Sequence, residues 1–549
     1  VSDESFSPFF PLRLAHVSII YHYSLPMKTA IVWFRKSLRL HDNPALMAAC
    51  ENEEVDSILP LFILDPDVLG ENYDKLSPNR IRFLIESLSD LNQQLSSRYG
   101  SRLLLAHGKP EDIFADTQNH WGKSFDSLYC EYSSEPSERS KLASVKQALT
   151  EKNQAVQVLS FDAFQTILDV EKTVSSSGFR NPKSMKDMDQ VFSSHFDKND
   201  HGFYIIDDPL PAPEEIKPFP SLTELSSLSI EHLTEQISQK LKVDIMSVKS
   251  YFPGGETEAL SRLSKKVSGQ VEYVNTFRKP KTMSTNSTGE PMEPSTTGLS
   301  PYLSTGCLSV RMLWKECEKC QMQGAHSQPP ESLHGQLMFR EMFYLLSRSV
   351  DHWDNDQSNE MCKEIEWDEY DHRKMEAWEK GQTGFPLIDA MMRQLDATGW
   401  MHHLGRHAVS CFLTRGQLWQ NWKFGRDVFD RKLLDSDWAL NNGNWLWLAG
   451  VAPFSMPYFR LYNPCPDAKS SLNVEAQTAE FIKFWVPELK DFPPKHIYEP
   501  HLAPDSVQTG SNCIIGRDYP SPILDRKESA KQNLAKFKSS LARLKTAKG

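Results

Sequence analysis

Three histidines lie within six positions in the segment GWMHHLGRHAVSCFLTRG (399–416), directly before an apolar run without proline. The pattern predicts a buried helix that begins at its histidines. His403 and His407 are four positions apart, so both side chains fall on one helical face. Because the ordinary pKa of histidine is about 6.5, such a pair beside a core suits proton transfer. A zinc hydrolase is the alternative, but Leu404 stands where H-E-x-x-H requires glutamate.

Polar side chains also interrupt the apolar segment LLDSDWALNNGNWLWL (433–448). Buried carboxylates need partners, which Arg340 or Arg406 could supply. Asn441 and Asn442 offer both hydrogen-bond donors and acceptors. Polar groups at this density among Trp and Leu indicate a bound polar ligand.

Hydroxyl groups cluster at a third place, EPSTTGLSPYLSTGCLS (293–309), where a helix should begin. The first residues of a helix bind anions through their free N–H groups and the helix dipole. The segment therefore predicts a phosphate site, with an ordinary capped helix as the alternative.

The composition bounds the class of protein. With 549 residues, the chain should hold more than one domain, and 39% hydrophobic and 24% charged residues suit a soluble globular protein. A net charge of −11 argues against a non-specific nucleic-acid coat but allows a local basic groove. Cys317 and Cys320 form a lone C-x-x-C, so we expect no metal site and a reducing compartment. No apolar run is long enough for a membrane span.

The order of patterns along the chain predicts the fold. Four short apolar runs (29–34, 57–64, 102–108 and 125–132) alternate with helical patterns, which favours an α/β domain with a parallel sheet at 28–165. A Ser-, Pro- and acid-rich stretch at 166–250 is interpreted as a long interdomain connector. Helical patterns rich in Trp, Leu and Met follow at 251–524.

The two ends of the chain are set apart. Residues 1–27 are interpreted as a leader or tag of unknown role. Residues 525–549 predict a basic amphipathic helix with one apolar face, which docks on its own domain or binds a partner, with a nuclear-import signal as a further alternative. We expect truncation after Leu524 to leave flavin binding and activity intact. That apolar face carries Ala530, Leu534, Phe537, Leu541 and Leu544.

Six ordered blocks between about 28 and 520 resemble the photolyase/cryptochrome flavoproteins. They are WFRKSLRLHDNPAL (33–46), STTGLSPYLSTGCLS (295–309), GQLMFRE (335–341), GQTGFPLIDAMMRQL (381–395), the histidine segment and DSDWALNNGNW (435–445). Within that family, the (6-4) photolyases and animal-type cryptochromes look most similar. Photolyases of cyclobutane dimers carry Asn and Met at the positions of His403 and His407, whereas (6-4) enzymes carry two histidines.

The resemblance implies a mostly α-helical domain that binds FAD, with reduced FADH⁻ as the working state, and it allows an antenna chromophore, deazaflavin or folate, in the N-terminal domain. Asp435 is expected to pair with Arg406, and Asn441 to face flavin N5. The implied cofactor-binding residues are Phe277, Thr296, Thr297, Gly298, Leu299, Ser300, Gln336, Arg340, Phe343, His403, Arg406, Asp435, Asp437 and Asn441.

The resemblance also implies roles in electron transfer and substrate binding. Trp445, Trp422, Trp367 and the outer Trp419 match the electron-transfer chain, and His403 and His407 match the catalytic pair. The implied substrate-binding residues are Lys279, Gln336, Phe339, Trp447 and Tyr462. Two features depart from the family: Phe339 replaces a usual Trp, and 450–457 carries about one extra residue.

The implied function is light-driven repair of (6-4) pyrimidine–pyrimidone photoproducts in DNA, by electron transfer from FADH⁻ and proton transfer from His403. The alternative is a blue-light photoreceptor or clock repressor with transcription-factor partners, and both functions can coexist in one protein. We expect a monomer that binds UV-damaged DNA and no membrane. Its expected location is the nucleus, with the cytoplasm or, because of residues 1–26, an organelle as alternatives.

Overall fold

A computed structural model describes residues 27–117, 124–152, 155–162, 165–219, 228–248, 251–283, 293–467 and 469–548. Residues 1–26, nearly all of the predicted leader, lie outside the described residues. Within the described ranges, no helix combines the length and apolar character needed to cross a bilayer.

The N-terminal domain is built on a five-stranded parallel sheet in the order β3-β2-β1-β4-β5. In β1, Ile31 is in register with Leu59 of β2 and Leu128 of β4. All residues of β1 and β2 are buried, as expected for strands with both sheet faces covered. The strands are β1 Thr29–Phe34, β2 Ser57–Leu64, β3 Leu104–His107, β4 Ser127–Glu131 and β5 Gln157–Phe161.

In the part of the domain that the structure describes, five helices lie between or after these strands, which confirms the α/β prediction. Each begins with a proline in its first turn, where the missing N–H leaves no hydrogen bond unmade. They are α1 Pro44–Glu51, α2 Pro66–Leu69, α3 Pro78–Tyr99, α4 Pro110–Ala115 and α5 Pro136–Glu151. Sequence patterns missed β5, because this edge strand is short and only half buried.

The region 166–250, which we interpreted as a connector, contains regular structure in its described part. It holds α6 Val170–Val174, α7 Met185–His195, α8 Ile230–Leu241 and a 3₁₀ turn at Ile245–Ser247. The buried Glu341 carboxylate accepts hydrogen bonds from the backbone N–H groups of Ile167 (3.0 Å) and Leu168 (3.1 Å). These bonds tie the start of the region to the helical domain.

The C-terminal domain is helical, as predicted. Its helices are α9 Glu256–Lys266, α10 Val271–Thr276, α11 Ser300–Ser304, α12 Val310–Gln321, α13 Leu333–Ser349, α14 His372–Glu379, α15 Pro386–Thr398, α16 His403–Cys411, α17 Trp422–Lys432, α18 Trp438–Leu448, α19 Glu480–Trp485, α20 Pro494–Ile497, α21 Asp505–Gly510 and α22 Arg526–Lys548. Gly443 lets α18 approach α13, because a Cβ there would lie 2.6 Å from the Phe343 ring.

The C-terminal helix α22 packs on its own domain, so the docking alternative is confirmed. Phe537 is 1% exposed, and Asn533 donates to the carbonyl oxygens of Gly416 and Gln417, both at 3.0 Å. Lys536 forms an ion pair with Asp368 at 2.8 Å. Our expectation that the helix is dispensable loses its basis, because its apolar face completes the core.

We predict that Phe537→Ala lowers the free energy of unfolding by about 3 kcal/mol, the usual cost of emptying a buried Phe site. Urea denaturation of the purified protein measures this change. The neighbouring Lys538 is exposed, so Lys538→Ala should stay within about 0.5 kcal/mol of wild type. Equal stability of the two variants would show that α22 is not docked in solution.

Candidate functional site

A cavity of about 300 Å³ opens in the helical domain between α11, α13, α16 and α18. It brings together most of the residues that the sequence singled out. Lining this cavity are Phe277, Lys279, Thr296, Thr297, Gly298, Leu299, Ser300, Gln336, Phe339, Arg340, Phe343, His403, Arg406, His407, Asp435, Asn441, Trp445 and Trp447.

The histidine segment forms α16, and its first turn supplies one wall. His403, Arg406 and His407 share the face that lines the cavity. His402 does not line it. Its Nδ1 caps the helix by accepting from the N–H of Leu404 at 3.1 Å, and its Nε2 contacts the Thr282 hydroxyl at 3.1 Å. Of the three histidines, His402 therefore caps the helix, and His403 and His407 line the cavity.

Asp435 joins the separate walls of the cavity. Its Oδ2 accepts from Ser300 Oγ at 2.6 Å and from the Arg406 guanidinium at 2.8 Å. The pairing with Arg406 is the one we expected, and Arg340 instead donates to the carbonyl oxygen of Leu303 at 3.3 Å. The second oxygen, Oδ1, is buried and has no hydrogen-bond partner among the described residues.

Helix α18 presents Asn441 to the cavity but not Asp437. Asn441 Nδ2 donates to the carbonyl oxygen of Arg426 at 3.1 Å. This contact uses the amide nitrogen and leaves the amide oxygen of Asn441 pointing away from Arg426. Asp437 is the N-cap of α18: its carboxylate accepts from the N–H of Leu440 at 3.1 Å and from Tyr344 OH at 2.9 Å. Because of these contacts, Asp437 is not among the residues that line the cavity, and its flavin contact stays a prediction.

An aromatic wall stands beside the two cavity histidines. Phe339 stacks on Trp447 with ring centroids 5.7 Å apart, and Trp447 meets His407 edge-on at 5.6 Å. The His403 and His407 rings lie 5.9 Å apart. Tyr462 is not among the lining residues but lies behind them, with its OH 2.8 Å from His407 Nδ1.

The cavity lowers the pKa of each basic group that matters for proton transfer. Burial, then the nearby Lys279 ammonium, lowers the pKa of His407 to about 3 and that of His403 well below its usual range. Burial, then Arg406, lowers the pKa of Lys279 to about 8. Burial thus favours the neutral form of both cavity histidines.

Of the four tryptophans, Trp445 lines the cavity, and Trp367 and Trp419 pack against Phe537 of α22. The Trp445 indole packs directly against Gly425 of α17. A side chain at position 425 would clash with it, because a Cβ there would lie 2.1 Å from the ring. Trp422 begins the same helix α17, and Trp367 and Trp419 form a pair with centroids 4.8 Å apart. The N–H groups of Trp445, Trp422 and Trp367 are buried without a partner among the described residues, whereas Trp419 donates to the Glu366 carbonyl oxygen at 3.0 Å.

The lining fits an anionic, polar cofactor such as FAD. Lys279, Arg340 and Arg406 are its basic residues, and Asp435 is its one acidic residue. Asp435 Oδ1 and Gln336 Oε1 are buried without a hydrogen-bond partner among the described residues, so both can accept hydrogen bonds from a bound cofactor. The Thr296–Ser300 segment turns through Gly298 at φ +65°, a backbone conformation that disfavours a side chain. The sequence missed Asn444, although its spacing from Asn441 and Trp445 on α18 places all three on one face.

A second, larger cavity of about 990 Å³ lies where β1 and β2 end, against the helical domain. Charged side chains of both signs line it, including Lys36, Asp65, Arg80 and Lys141. Asp437 lines this cavity and not the first one. Among the described residues, no group of three or more His, Cys, Asp or Glu side chains is placed to hold a metal ion.

The parallel-sheet domain and the helical domain each match a known family of protein domains. Residues 30–214 match the sequence profile "DNA photolyase", and residues 332–539 match "FAD binding domain of DNA photolyase". The chain belongs to the photolyase/cryptochrome family, and its helical domain is an FAD-binding domain. The matched region includes part of α22, which we had expected to lie beyond it.

Curated relatives carry both family names. The chain is 37% identical to a (6-4) DNA photolyase of Arabidopsis thaliana, over 92% of this chain and 87% of that protein. It is 36% identical to Cryptochrome-1 of Gallus gallus, over 95% of this chain and 79% of that protein.

Solved structures have the same fold. A class III photolyase of Agrobacterium tumefaciens matches with a TM-score of 0.76 and 25% identity, over 95% of this chain and all of that one. A Synechocystis cryptochrome matches with the same TM-score and identity, over 92% of this chain and 99% of that one.

We predict that Trp445→Phe blocks photoreduction of oxidised FAD by an external reductant, because Trp445 is the chain member in the cavity wall. Repair by pre-reduced protein should stay near wild type, since it does not need the tryptophans. Flavin absorbance under steady illumination measures photoreduction. Equal rates in variant and wild type would mean that these indoles are only core residues.

We predict that His402 makes the protein acid-sensitive. Burial, then Lys279, lowers its folded-state pKa to about 3, so only the unfolded chain takes up this proton as the pH falls below the ordinary value. The cost should reach about 2 kcal/mol at pH 5. His402→Asn keeps a capping side chain, and its stability should fall less between pH 7.5 and 5 in urea titrations. A parallel decline in both proteins would contradict the assignment.

Proposed function

We propose that this protein is a (6-4) DNA photolyase, a carbon–carbon lyase that repairs (6-4) photoproducts in near-UV or blue light. One observation carries the proposal: His403 and His407 lie together on the wall of the FAD cavity, beside an aromatic stack. The 37% identity to plant (6-4) photolyases supports the same choice of lesion.

The cavity residues would receive the lesion after its nucleotides are flipped from the duplex, which costs less for damaged bases. The stacked Phe339 and Trp447 rings offer a face for a flipped base. Lys279 and Gln336 also line the cavity, and their side chains can bind the polar edge of the base. Phe339 offers no indole N–H, so we expect stacking without a hydrogen bond at that position.

The two histidines would hold and move one proton. Burial favours their neutral form, and the negative charge of cofactor and lesion raises the pKa of a nearby imidazole. His403, in the first turn of α16, would then protonate the lesion, and His407 would orient the His403 side chain. FAD in its reduced form supplies the light-excited electron when bound, so the protein itself provides position, proton and exclusion of water.

The tryptophans would serve to restore reduced FAD. The three inner indole N–H groups have no proton acceptor among the described residues. An oxidised indole there keeps its proton and passes the charge outwards, rather than trapping it by deprotonation.

The 36% identity to Cryptochrome-1 favours photoreception, with transcription-factor or clock partners, as a second candidate function. The two functions share cavity and tryptophans and differ in the use of His403. For a substrate in chromosomal DNA, we propose a nuclear location. The cavity at the ends of β1 and β2 is our candidate for an antenna chromophore, deazaflavin or folate.

We predict that His403→Asn abolishes repair of a (6-4) lesion while FAD content and photoreduction stay near wild type. An amide can form hydrogen bonds but cannot deliver a proton at neutral pH, and loss of general acid catalysis typically costs about 10²–10⁴-fold. The measurement is light-dependent restoration of bases in an oligonucleotide with one (6-4) lesion.

His402→Asn is the matched control, because His402 lies next to His403 but does not line the cavity. It should repair at close to the wild-type rate. Wild-type repair by His403→Asn would refute the proton assignment, and absence of repair by reduced wild-type protein would favour the photoreceptor function.

A further inference from the structure

Arg415 is a buried cation without a carboxylate partner among the described residues. Only 1% of it is exposed, and it donates to the carbonyl oxygens of Leu448 (3.1 Å), Tyr458 (2.8 Å) and Arg460 (2.8 Å). Its Nη2 has no hydrogen-bond partner in the described part of the chain. Burying an unpaired charge is costly, so the position of this guanidinium calls for an explanation.

The three carbonyl groups belong to one stretch of chain, the end of α18 and the loop that follows it. The planar guanidinium fork bridges the start and the end of this loop, which an ammonium on a flexible chain could not do equally well. Gly450, within the loop, leaves room for the arginine, because a Cβ there would lie 3.2 Å from Arg415 Cδ. Arg415 therefore fixes the path of residues 448–460.

That loop leads directly to Tyr462, which contacts His407 in the cavity wall. Tyr462 follows Arg460 by two residues, and its OH lies 2.8 Å from His407 Nδ1. Burial raises the pKa of Tyr462 to about 12, so the phenol keeps its proton and can donate it to Nδ1. A phenol that donates to Nδ1 leaves the imidazole proton on Nε2, because a neutral imidazole has a single N–H.

Helix α22 holds the same two segments from the other side. Asn533 donates to the carbonyl oxygens of Gly416 and Gln417, which directly follow Arg415. The Phe537 ring stacks on the Tyr458 ring, with centroids 4.7 Å apart and planes at 5°. Both anchoring residues are buried, at 4% and 1% exposure.

We propose that Arg415, Asn533 and Phe537 are positioning residues that hold Tyr462 against His407, so that His407 keeps one tautomer with its proton on Nε2. This inference rests on the proposed function and assigns to α22 a role in the chemistry of the cavity. None of the three residues lines that cavity. They act through the 448–460 loop and Tyr462, and misplacement by about 1 Å can cost about 10²-fold in rate.

The test uses the full-length FAD-loaded protein with Asn533→Ala and, separately, Arg415→Lys, which keeps the charge but loses the fork. Lys538→Ala on the exposed side of α22 is the control. FAD per chain is measured first, then kcat and KM on the single-lesion oligonucleotide. The ¹⁵N signals of His407, identified by their absence in His407→Gln, report its tautomer in the dark.

We expect FAD content and KM to stay near wild type, kcat to fall by about 10- to 100-fold, and the His407 signals to change from one tautomer to a mixture. The control should show none of these changes. Wild-type kcat with a single His407 tautomer in both variants would overturn the proposal, as would loss of FAD with the tautomer unchanged. If wild-type protein repairs nothing, the ¹⁵N result still decides the positioning role, separately from the proposed function.

Discussion

The contact of Asp435 with Arg406 and Ser300 is the interaction on which the site depends. One carboxylate oxygen joins α11, α16 and the turn before α18, and so fixes three walls of the cavity relative to one another. The Arg406 side chain is only partly buried, so removing one partner should cost less than the about 3–5 kcal/mol typical of a fully buried pair. The free oxygen on the same carboxylate then contributes to a polar lining that suits a cofactor rather than a core.

Helix geometry distributes roles among residues that look alike in sequence. His402, His403 and His407 lie within six positions, yet the first caps α16 and the other two face the cavity. Asp435 and Asp437 differ in the same way, since one pairs with Arg406 and the other caps α18. In each case the residue directly before the helix satisfies free backbone N–H groups, and its neighbours in sequence line the cavity.

Local patterns predicted both domains and four of the five strands, because buried strands and one-sided helices have periodic sequences. Most of the cavity lining was instead implied by the resemblance to the photolyase/cryptochrome family. Local patterns failed where tertiary contacts decide. The edge strand Gln157–Phe161 is short and half exposed. Phe537 stacks on Tyr458, about 80 residues earlier in the sequence, and Arg415 donates to the Tyr458 carbonyl oxygen, about 40 residues later. No local sequence pattern reveals such distant contacts.

The central claim is that this cavity repairs (6-4) lesions in light. The most direct measurement illuminates chemically reduced, FAD-loaded protein with two oligonucleotides, one carrying a single (6-4) photoproduct and the other a single cyclobutane dimer, and separates the products by chromatography. Restoration of the bases from the (6-4) lesion alone, in light and not in darkness, is the predicted result. Repair of the cyclobutane dimer instead, or of neither lesion, would contradict it.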